Sequence, residues 1–364
     1  RLEFDGENSL INNFDSFKTA SERLLGGNAV AIFPEARNQA GRWLGKFSLG
    51  YLRLAFQAAE ESGFEKDIVI LPICNHYTGF FRMRERMMLR IGTPIHLQPY
   101  YERFKEKPRT VQREINALVR GQIEDMMLNI TDSEHYDAIE YLRITEYGKK
   151  WCTKMGLDPY YLPDKLTADK KLVARLDELN AQYPEKMDGI YKGFLKLKEA
   201  TRKLNIRDWI FDKPLSLVEL VSFGVCLGIL LPLFLYSLIP NILIYYIPYP
   251  ITKKLKAKHN SASMFVGGVH FILSGCVTIP LFYSLTFVLE GLFVSWIYAA
   301  IHLFCLPFLG IFAWNYRKLY MKWKGAVWYR TMQQVGYRKL RKTRELRNRL
   351  FFKLDTLLYS QEGI

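Results

Sequence analysis

The segment from Ala262 to Trp314 constrains this chain most, because it carries a single full charge, Glu290. The apolar runs on either side of that charge, residues 262–289 and 291–314, are both longer than the about 20 residues that a helix needs to cross the hydrocarbon core of a bilayer. A globular domain in a chain of 364 residues could enclose so long an apolar stretch only with difficulty. The segment therefore predicts two membrane-spanning helices rather than a buried helical hairpin.

The preceding segment, residues 215–250, is also apolar, but it is interrupted by four prolines: Pro232, Pro240, Pro248 and Pro250. Two arrangements fit this pattern, since a proline kinks or breaks a helix. One is a straight first span from Leu215 to about Ile239, and the other is a re-entrant hairpin that turns near Pro240 and Asn241. With either arrangement, the predicted membrane region covers residues 214–314.

Basic segments flank these apolar runs. Residues 253–258 contain four lysines, and the stretch from Arg317 to Arg349 contains twelve Lys or Arg residues against one acid, Glu345. Short basic segments prefer the cytoplasmic side of a membrane, which favours the re-entrant arrangement and places Glu290 at an outer turn. Residues 315–364 are then a basic cytoplasmic tail, and the protein is predicted to be a multi-pass protein of the cell membrane.

The net charge of +15 also bears on the choice of partners. A basic patch beside a membrane segment attracts anionic lipid head groups, at roughly 1 kcal/mol for each Lys or Arg near the surface. The chain contains no helix-turn-helix, RNP or zinc-finger pattern that would indicate a nucleic-acid-binding protein. Membrane lipids are therefore the expected partners, and nucleic acid is not.

The first part of the chain alternates between two apolar patterns. Helical spacing of apolar residues occurs in residues 9–25 and 46–61. Short apolar runs of strand length occur at residues 28–33, 67–71 and 87–91. Strands separated by helices are typical of α/β domains, so residues 1–130 are predicted to form a mixed sheet with flanking helices.

A more polar helical pattern follows. The expected helices are residues 108–128, 132–147, 164–182 and 186–207. The last three form a predicted helical extension at residues 131–213, between the α/β domain and the membrane region.

The densest chemical signal is the run AIFPEARNQ, residues 31–39. Glu35 and Arg37 follow the expected strand 28–33, and ligands of open α/β sheets bind beyond the carboxyl ends of strands. Arg37 can fork onto a phosphate group, while Glu35 can orient that arginine or hold a substrate hydroxyl. Arg42 and Lys46 add positive charge before the next helix. The alternative interpretation is a solvated turn with a surface ion pair.

The run FPEARNQ resembles the FPEGTR-type block of the glycerolipid acyltransferases, the group that includes lysophosphatidate and glycerol-3-phosphate acyltransferases. The opening Arg1 resembles the end of the family's second block, where an arginine contacts substrate phosphate. The strand that ends at Pro72 resembles the fourth block. The resemblance covers about residues 1–100 and implies a substrate-binding set of five residues: Arg1, Glu35, Arg37, Lys46 and Pro72.

The resemblance also implies an activity. The expected reaction transfers a fatty acyl group from a thioester donor, acyl-CoA or acyl carrier protein, to a hydroxyl of glycerol 3-phosphate or lysophosphatidate in phospholipid biosynthesis. No cofactor or metal is expected, and the catalytic domain is placed on the cytoplasmic face of the membrane. The alternative function is that of a non-catalytic, membrane-anchored lipid-binding protein of acyltransferase-like fold.

Two departures from the family pattern stand out. The family's glycine after the glutamate is Ala36 here, which restricts the backbone. The family's His-x4-Asp block, which supplies the general base, is not found, and we expect it upstream of Arg1. The catalytic residues are therefore unassigned, and residues 1–364 alone are predicted to be inactive.

Other histidines are predicted to be structural. His135 and Glu140 have the spacing His-x4-Glu, but residues five apart on a helix point about 140° away from each other. His76 follows the Pro72 block, and His270 and His302 lie within the apolar runs. Polar side chains inside a membrane commonly form hydrogen bonds between helices, so a packing role is expected for the last two.

Overall fold

A computed structural model describes residues 17–35, 41–79, 85–258 and 272–359 of the chain. The chain divides into two compact units, Arg1–Thr131 and Asp132–Ile364. The domain boundary predicted at residue 130 lies beside this division.

The first unit is built around two packed helices. Its helices are α1 (17–25), α2 (Gly50–Glu61), α3 (Tyr101–Glu106) and α4 (Pro108–Met126). Leu52, Phe56 and Ala59 recur at helical spacing on α2 and are fully or almost fully buried. They form one core with residues of α4 such as Ile115, and the Phe56 ring stacks on the Phe104 ring of α3 at 3.8 Å between centroids.

The strands of this unit form two small antiparallel pairs. β1 (Val69–Ile70) pairs with β4 (Ile95–His96), and β2 (Ile73–Tyr77) pairs with β3 (Met87–Ile91). Nine residues, 78–86, join β2 to β3, and a parallel pair would need a crossover of a dozen or more. Over all described residues, 73% are helix and 5% are strand.

This architecture corrects the predicted fold class. The α/β mixed sheet expected for residues 1–130 is wrong for the described residues, which contain two separate two-stranded sheets. The run 28–33 is not a strand, and the side chain of Phe33 is 85% exposed. The length of an apolar run indicates that a strand could form there, but it does not indicate the partner with which the strand would pair.

The second unit begins with a helical extension. Its helices are α5 (Tyr136–Ile144), α6 (Glu146–Lys154), α7 (Leu162–Gln182) and α8 (Pro184–Lys203), followed by a 3-10 turn at Asp208–Phe211. The single helix predicted at 132–147 is divided at Thr145, where the backbone is extended. Arg143 is buried there and pairs with Glu140 at 2.5 Å and with Asp169 at 2.8 Å.

The apolar helices come next. They are α9 (Leu217–Tyr246), α10 (Pro248–Lys258), a π-helical turn at Leu273–Thr278 that leads into α11 (Ile279–Phe293), and α12 (Trp296–Gln334). Three described helical segments are long and apolar enough to cross a membrane: Leu217–Ile244, Leu273–Phe293 and Trp296–Gln334. The predicted membrane association is therefore supported at this coarse level. α9 contains Pro232 and Pro240 and continues through both.

The first half of α9 packs antiparallel to α12. The indole Nε1 of Trp323 donates to the Leu220 carbonyl at 2.8 Å, and the Tyr316 hydroxyl donates to the Leu227 carbonyl at 2.8 Å. Between α11 and α12, His302 Nδ1 lies 2.6 Å from Glu290 Oε1. The hydrogen bond expected for His302 therefore joins two helices, and Glu290 lies in the last turn of α11, close to the turn that was predicted.

The last helix, α13 (Arg338–Tyr359), returns to the helical extension. Arg347 is buried and pairs with Asp208 at 2.6 Å and with Asp212 at 2.5 Å. The Phe351 ring lies 6.2 Å from the Phe194 ring of α8. The segments that precede and follow the apolar helices are therefore packed against each other.

Candidate functional site

Glu35, the last described residue before position 41 in the run that carries the predicted site, is bonded to the described loop at residues 41–48. Glu35 pairs with Phe47 as an isolated antiparallel bridge, and the Ser48 amide donates to the Pro34 carbonyl at 2.9 Å. The Gly45 amide donates to Glu35 Oε1 at 3.2 Å. One carboxylate oxygen of Glu35 is thus bonded to the backbone at Gly45, and the other oxygen has no described hydrogen-bond partner.

Arg42 anchors this loop to the body of the first unit. Its side chain is buried, and Nη2 donates to the carbonyls of Tyr77 at 2.8 Å and Thr78 at 3.1 Å. Its own carbonyl accepts from the Ile130 amide at 2.6 Å. The positive charge that the sequence suggested for a phosphate site at this position therefore points inward and has a structural role.

A second arginine holds the loop from α4. Arg120 Nη1 donates to the Gly45 carbonyl at 2.7 Å, and its guanidinium lies 5.7 Å from the Phe47 ring. An ion pair with Glu124 at 2.9 Å orients the Arg120 side chain. Sequence reasoning missed Arg120, because it lies 75 residues from Gly45 on a helix whose spacing predicts only an exposed cation.

Lys46 is the described cation of the loop that faces solvent. Its side chain is exposed, and no acidic side chain in the described ranges pairs with it. The helix that was expected to begin at residue 46 begins at Gly50, and its first turn contains no acidic residue. Lys46 thus lies just before a helix N-terminus, which favours anions.

Of the other three predicted residues, Pro72 is the one within the described ranges. Pro72 is buried at the start of β2, where its carbonyl accepts from the Gly92 amide at 2.8 Å. Arg42 is bonded at the opposite end of β2, about 17 Å away for a strand of this length. Arg1 and Arg37 lie outside the described residues.

The histidines that were predicted to be structural can be placed in turn. His135 does not pair with Glu140, since its Nδ1 lies 2.7 Å from Asp132 Oδ2 and its ring stacks on Tyr191. His76 is buried within β2. His270 lies outside the described residues, as does any part of the expected His-x4-Asp block.

The loop thus presents a fixed carboxylate and an exposed cation on a rigid base. Such a pair can bind an anionic group through Lys46, while the carboxylate of Glu35 orients a neighbouring donor. Comparison of the chain with protein-family models, curated proteins and solved structures returned no match. The resemblance to the glycerolipid acyltransferases therefore rests on the sequence blocks alone, and its consequences are proposals.

Proposed function

We propose that this protein is a membrane-bound acyltransferase of phospholipid biosynthesis. It transfers a fatty acyl group from acyl-CoA or acyl carrier protein to a hydroxyl of glycerol 3-phosphate or lysophosphatidate. The observation that carries the proposal is the contact of Glu35 with Gly45 and Phe47, the two residues that flank the exposed Lys46. Glu35 and Arg37 belong to the run that resembles the FPEGTR-type block of the glycerolipid acyltransferases, and Lys46 follows that run.

The proposed reaction forms one bond and breaks one bond at the acyl carbon. The acceptor hydroxyl oxygen attacks the thioester carbonyl, an ester C–O bond forms, and the C–S bond breaks. The hydroxyl proton passes to a general base, and the departing thiolate takes up a proton. Within this scheme Arg37 and Lys46 bind the acceptor phosphate, and Glu35 keeps the loop closed and orients Arg37.

A membrane region suits this chemistry, because the acyl product partitions into the bilayer. Both acceptors carry a phosphate group, and cations at a loop that precedes a helix N-terminus attract phosphate. The apolar helices hold the protein at the surface where the lipid product enters the membrane.

We propose further that all segments flanking the membrane region lie on the cytoplasmic side. The contact between α13 and α8 supports an even number of membrane crossings, because packed segments must lie on one side of the bilayer. α11 and α12, joined by Val294 and Ser295, account for two crossings. α9 and α10 then make no net crossing. Because α9 remains helical through Pro240, the re-entrant arrangement requires α9 to bend sharply at that proline instead of turning there in a loop.

The contacts of α9 support the same arrangement. Leu220 bonds Trp323, Leu227 bonds Tyr316, and the Tyr236 ring lies 5.5 Å from the His302 ring, so these three contacts run toward the N-terminal end of α12. Phe234 stacks on Tyr316 at 4.3 Å. Asn241 does not continue this order, since it lies against Gly310. Lys253 and Lys254 on α10 then return to the side that carries the basic tail, as the positive-inside tendency favours.

The activity is tested in the natural protein that contains these residues, with labelled acyl-CoA or acyl carrier protein and both acceptors. Arg37→Lys keeps the charge but loses the bidentate fork, so efficiency should fall about ten- to a hundred-fold. Glu35→Gln can still accept from the Gly45 amide, so activity should fall without unfolding. Glu60→Gln, an exposed substitution in the same unit, is the control.

Formation of labelled lipid with either acceptor supports the proposal. No transfer from either donor to either acceptor would contradict it and favour the non-catalytic lipid-binding alternative. Normal acceptor kinetics in both Arg37→Lys and Glu35→Gln would show that the phosphate site lies elsewhere.

A further inference from the structure

The second unit contains a cavity of about 580 Å³ between the end of the helical extension and α12. It is lined on one side by residues 202–210 and on the other by residues 321–331. Four cationic and three tryptophan side chains contribute to its wall: Arg202, Arg207, Lys322, Lys324, Trp209, Trp323 and Trp328. The volume lies within the range of small-molecule sites, about 300–1,000 Å³.

Three of these cations have no acidic partner among the described residues. Arg207, Lys322 and Lys324 are exposed and form no described ion pair, whereas Arg202 pairs with Glu199 at 2.9 Å. Lys322 Nζ lies 5.2 Å from the centre of the Trp209 ring, which orients the ammonium group at the cavity wall. The cavity therefore offers three positive charges that the described protein does not neutralise.

Two of its tryptophans are held in place by hydrogen bonds from the indole nitrogen. Trp323 Nε1 donates to the Leu220 carbonyl at 2.8 Å, and Trp328 Nε1 donates to the Leu204 carbonyl at 3.2 Å. These bonds join α12 to the first turn of α9 and to the end of α8, so the cavity wall is rigid.

The cavity lies at the level where the apolar part of α9 begins. Leu220 is in the first turn of that helix, and its neighbours Val218 and Val221 are 77% and 57% exposed. Exposed apolar side chains at this position face the bilayer in a membrane-spanning helix, and tryptophan is enriched at the membrane–water interface. A ligand of this cavity can thus place a charged group among the cations and apolar chains in the membrane.

We propose that this cavity binds the headgroup of an anionic phospholipid, with its phosphate among Arg207, Lys322 and Lys324. The position beside lipid-facing valines favours a lipid over a soluble phosphate compound, because both ends of a phospholipid find a matching environment there. The cavity shares no lining residue with the proposed acyl-transfer site, and the proposal does not depend on acyl transfer.

The test uses the full chain in neutral-detergent micelles and measures binding by isothermal titration calorimetry. The probes are short-chain phosphatidylglycerol, phosphatidylcholine of the same chain length, and inorganic phosphate. Arg207→Gln, Lys322→Gln and Lys324→Gln are combined in one variant. Each lost cation near an anionic headgroup weakens binding about fivefold, so the variant should bind phosphatidylglycerol about a hundred-fold more weakly.

A matched control removes the same charges elsewhere on the same unit. Lys339→Gln, Lys342→Gln and Arg349→Gln together replace two lysines and one arginine that are exposed on α13 and do not line the cavity. This control should keep its affinity for phosphatidylglycerol within about threefold. An unchanged circular dichroism spectrum of both variants excludes unfolding as the cause of a loss.

Three results would overturn the proposal. Equal losses in the two triple variants would indicate a diffuse surface attraction instead of a site. Equal affinity for phosphatidylcholine would remove the role of the charge. Binding of inorganic phosphate as tight as that of phosphatidylglycerol would assign the cavity to a soluble phosphate compound.

Discussion

Arg42 in the first unit and Arg347 in the second are buried and each fixes a segment of the chain, but their partners differ. Arg42 in the first unit donates to the carbonyls of Tyr77 and Thr78. Arg347 in the second unit forms ion pairs with Asp208 and Asp212. A carbonyl left without its donor loses a hydrogen bond, whereas a buried carboxylate left without its cation retains an uncompensated charge. The second arrangement is therefore the more costly one to break.

Buried cations with a structural role differ from exposed cations that are available to a ligand. The side chains of Arg42 and Arg347 donate hydrogen bonds within the protein. By contrast, Lys46 in the first unit and Arg207, Lys322 and Lys324 in the second are exposed and have no acidic partner in the described ranges. The two sites proposed above rest on this second group.

The largest effect is expected from Arg347→Gln. The substitution leaves the buried side chain of Asp208 without its cation and Asp212 with Lys150 alone, and breaking a buried pair in this way costs about 3–5 kcal/mol. We expect a large fall in the unfolding temperature in detergent and early proteolytic cleavage of α13. Arg349→Gln, an exposed position on the same helix, is the control. An unfolding temperature equal to that of the control would show that the ion pairs of Arg347 do not stabilise the second unit.

Arg42→Gln should destabilise the first unit by a smaller amount. The shorter amide loses at least one charge-assisted hydrogen bond to the carbonyls of Tyr77 and Thr78, which costs about 2–3 kcal/mol. Hydrogen exchange of the amides in residues 41–48 should accelerate, while the exposed control Arg53→Gln should leave it unchanged. Protection of these amides in Arg42→Gln at the wild-type level would show that Arg42 does not anchor the loop.

The smallest effect on stability is expected from lowering the pH. Burial opposes the ionisation of Asp212, but hydrogen bonds from Arg347 and Lys150 outweigh burial and lower its pKa below the ordinary value of 3.8. The native state then binds fewer protons than the unfolded state, so this contribution is present above about pH 4 and is lost as the pH falls through the native pKa. Unfolding temperatures between pH 2.5 and 6 should fall less steeply in Asp212→Asn than in wild type, and equal slopes would contradict this assignment.

The sequence predicted local features well. The membrane runs and most helices follow from apolar spacing, and α4 was expected at 108–128 and is found at Pro108–Met126. The strand at residues 87–91 is also confirmed. These features depend on contacts between residues that are close together in the chain. The spacing of residues within one sequence is therefore enough to predict them.

Features that depend on distant contacts were not predicted. The antiparallel pairing of β2 with β3 replaced the expected mixed sheet, since an apolar run does not specify its partner. The inward direction of Arg42 depends on carbonyls 35 and 36 residues away. The cavity proposed for lipid joins residues 202–210 to residues 321–331, and in the sequence these residues appear only as scattered cations and tryptophans.

The most direct test of the account is the sidedness of the membrane region. Single cysteines replace Lys46, Lys254, Val294 or Lys342 in a chain whose five native cysteines have been removed, and intact cells are treated with an impermeant maleimide. We expect labelling at position 294 alone, and labelling at all four positions after permeabilisation. Labelling of intact cells at position 254 would show that α9 crosses the membrane and would contradict the re-entrant arrangement. Labelling at position 342 but not at position 46 would give an odd number of crossings and contradict the contact between α13 and α8, and labelling at position 46 would contradict the cytoplasmic location of the proposed acyl transfer.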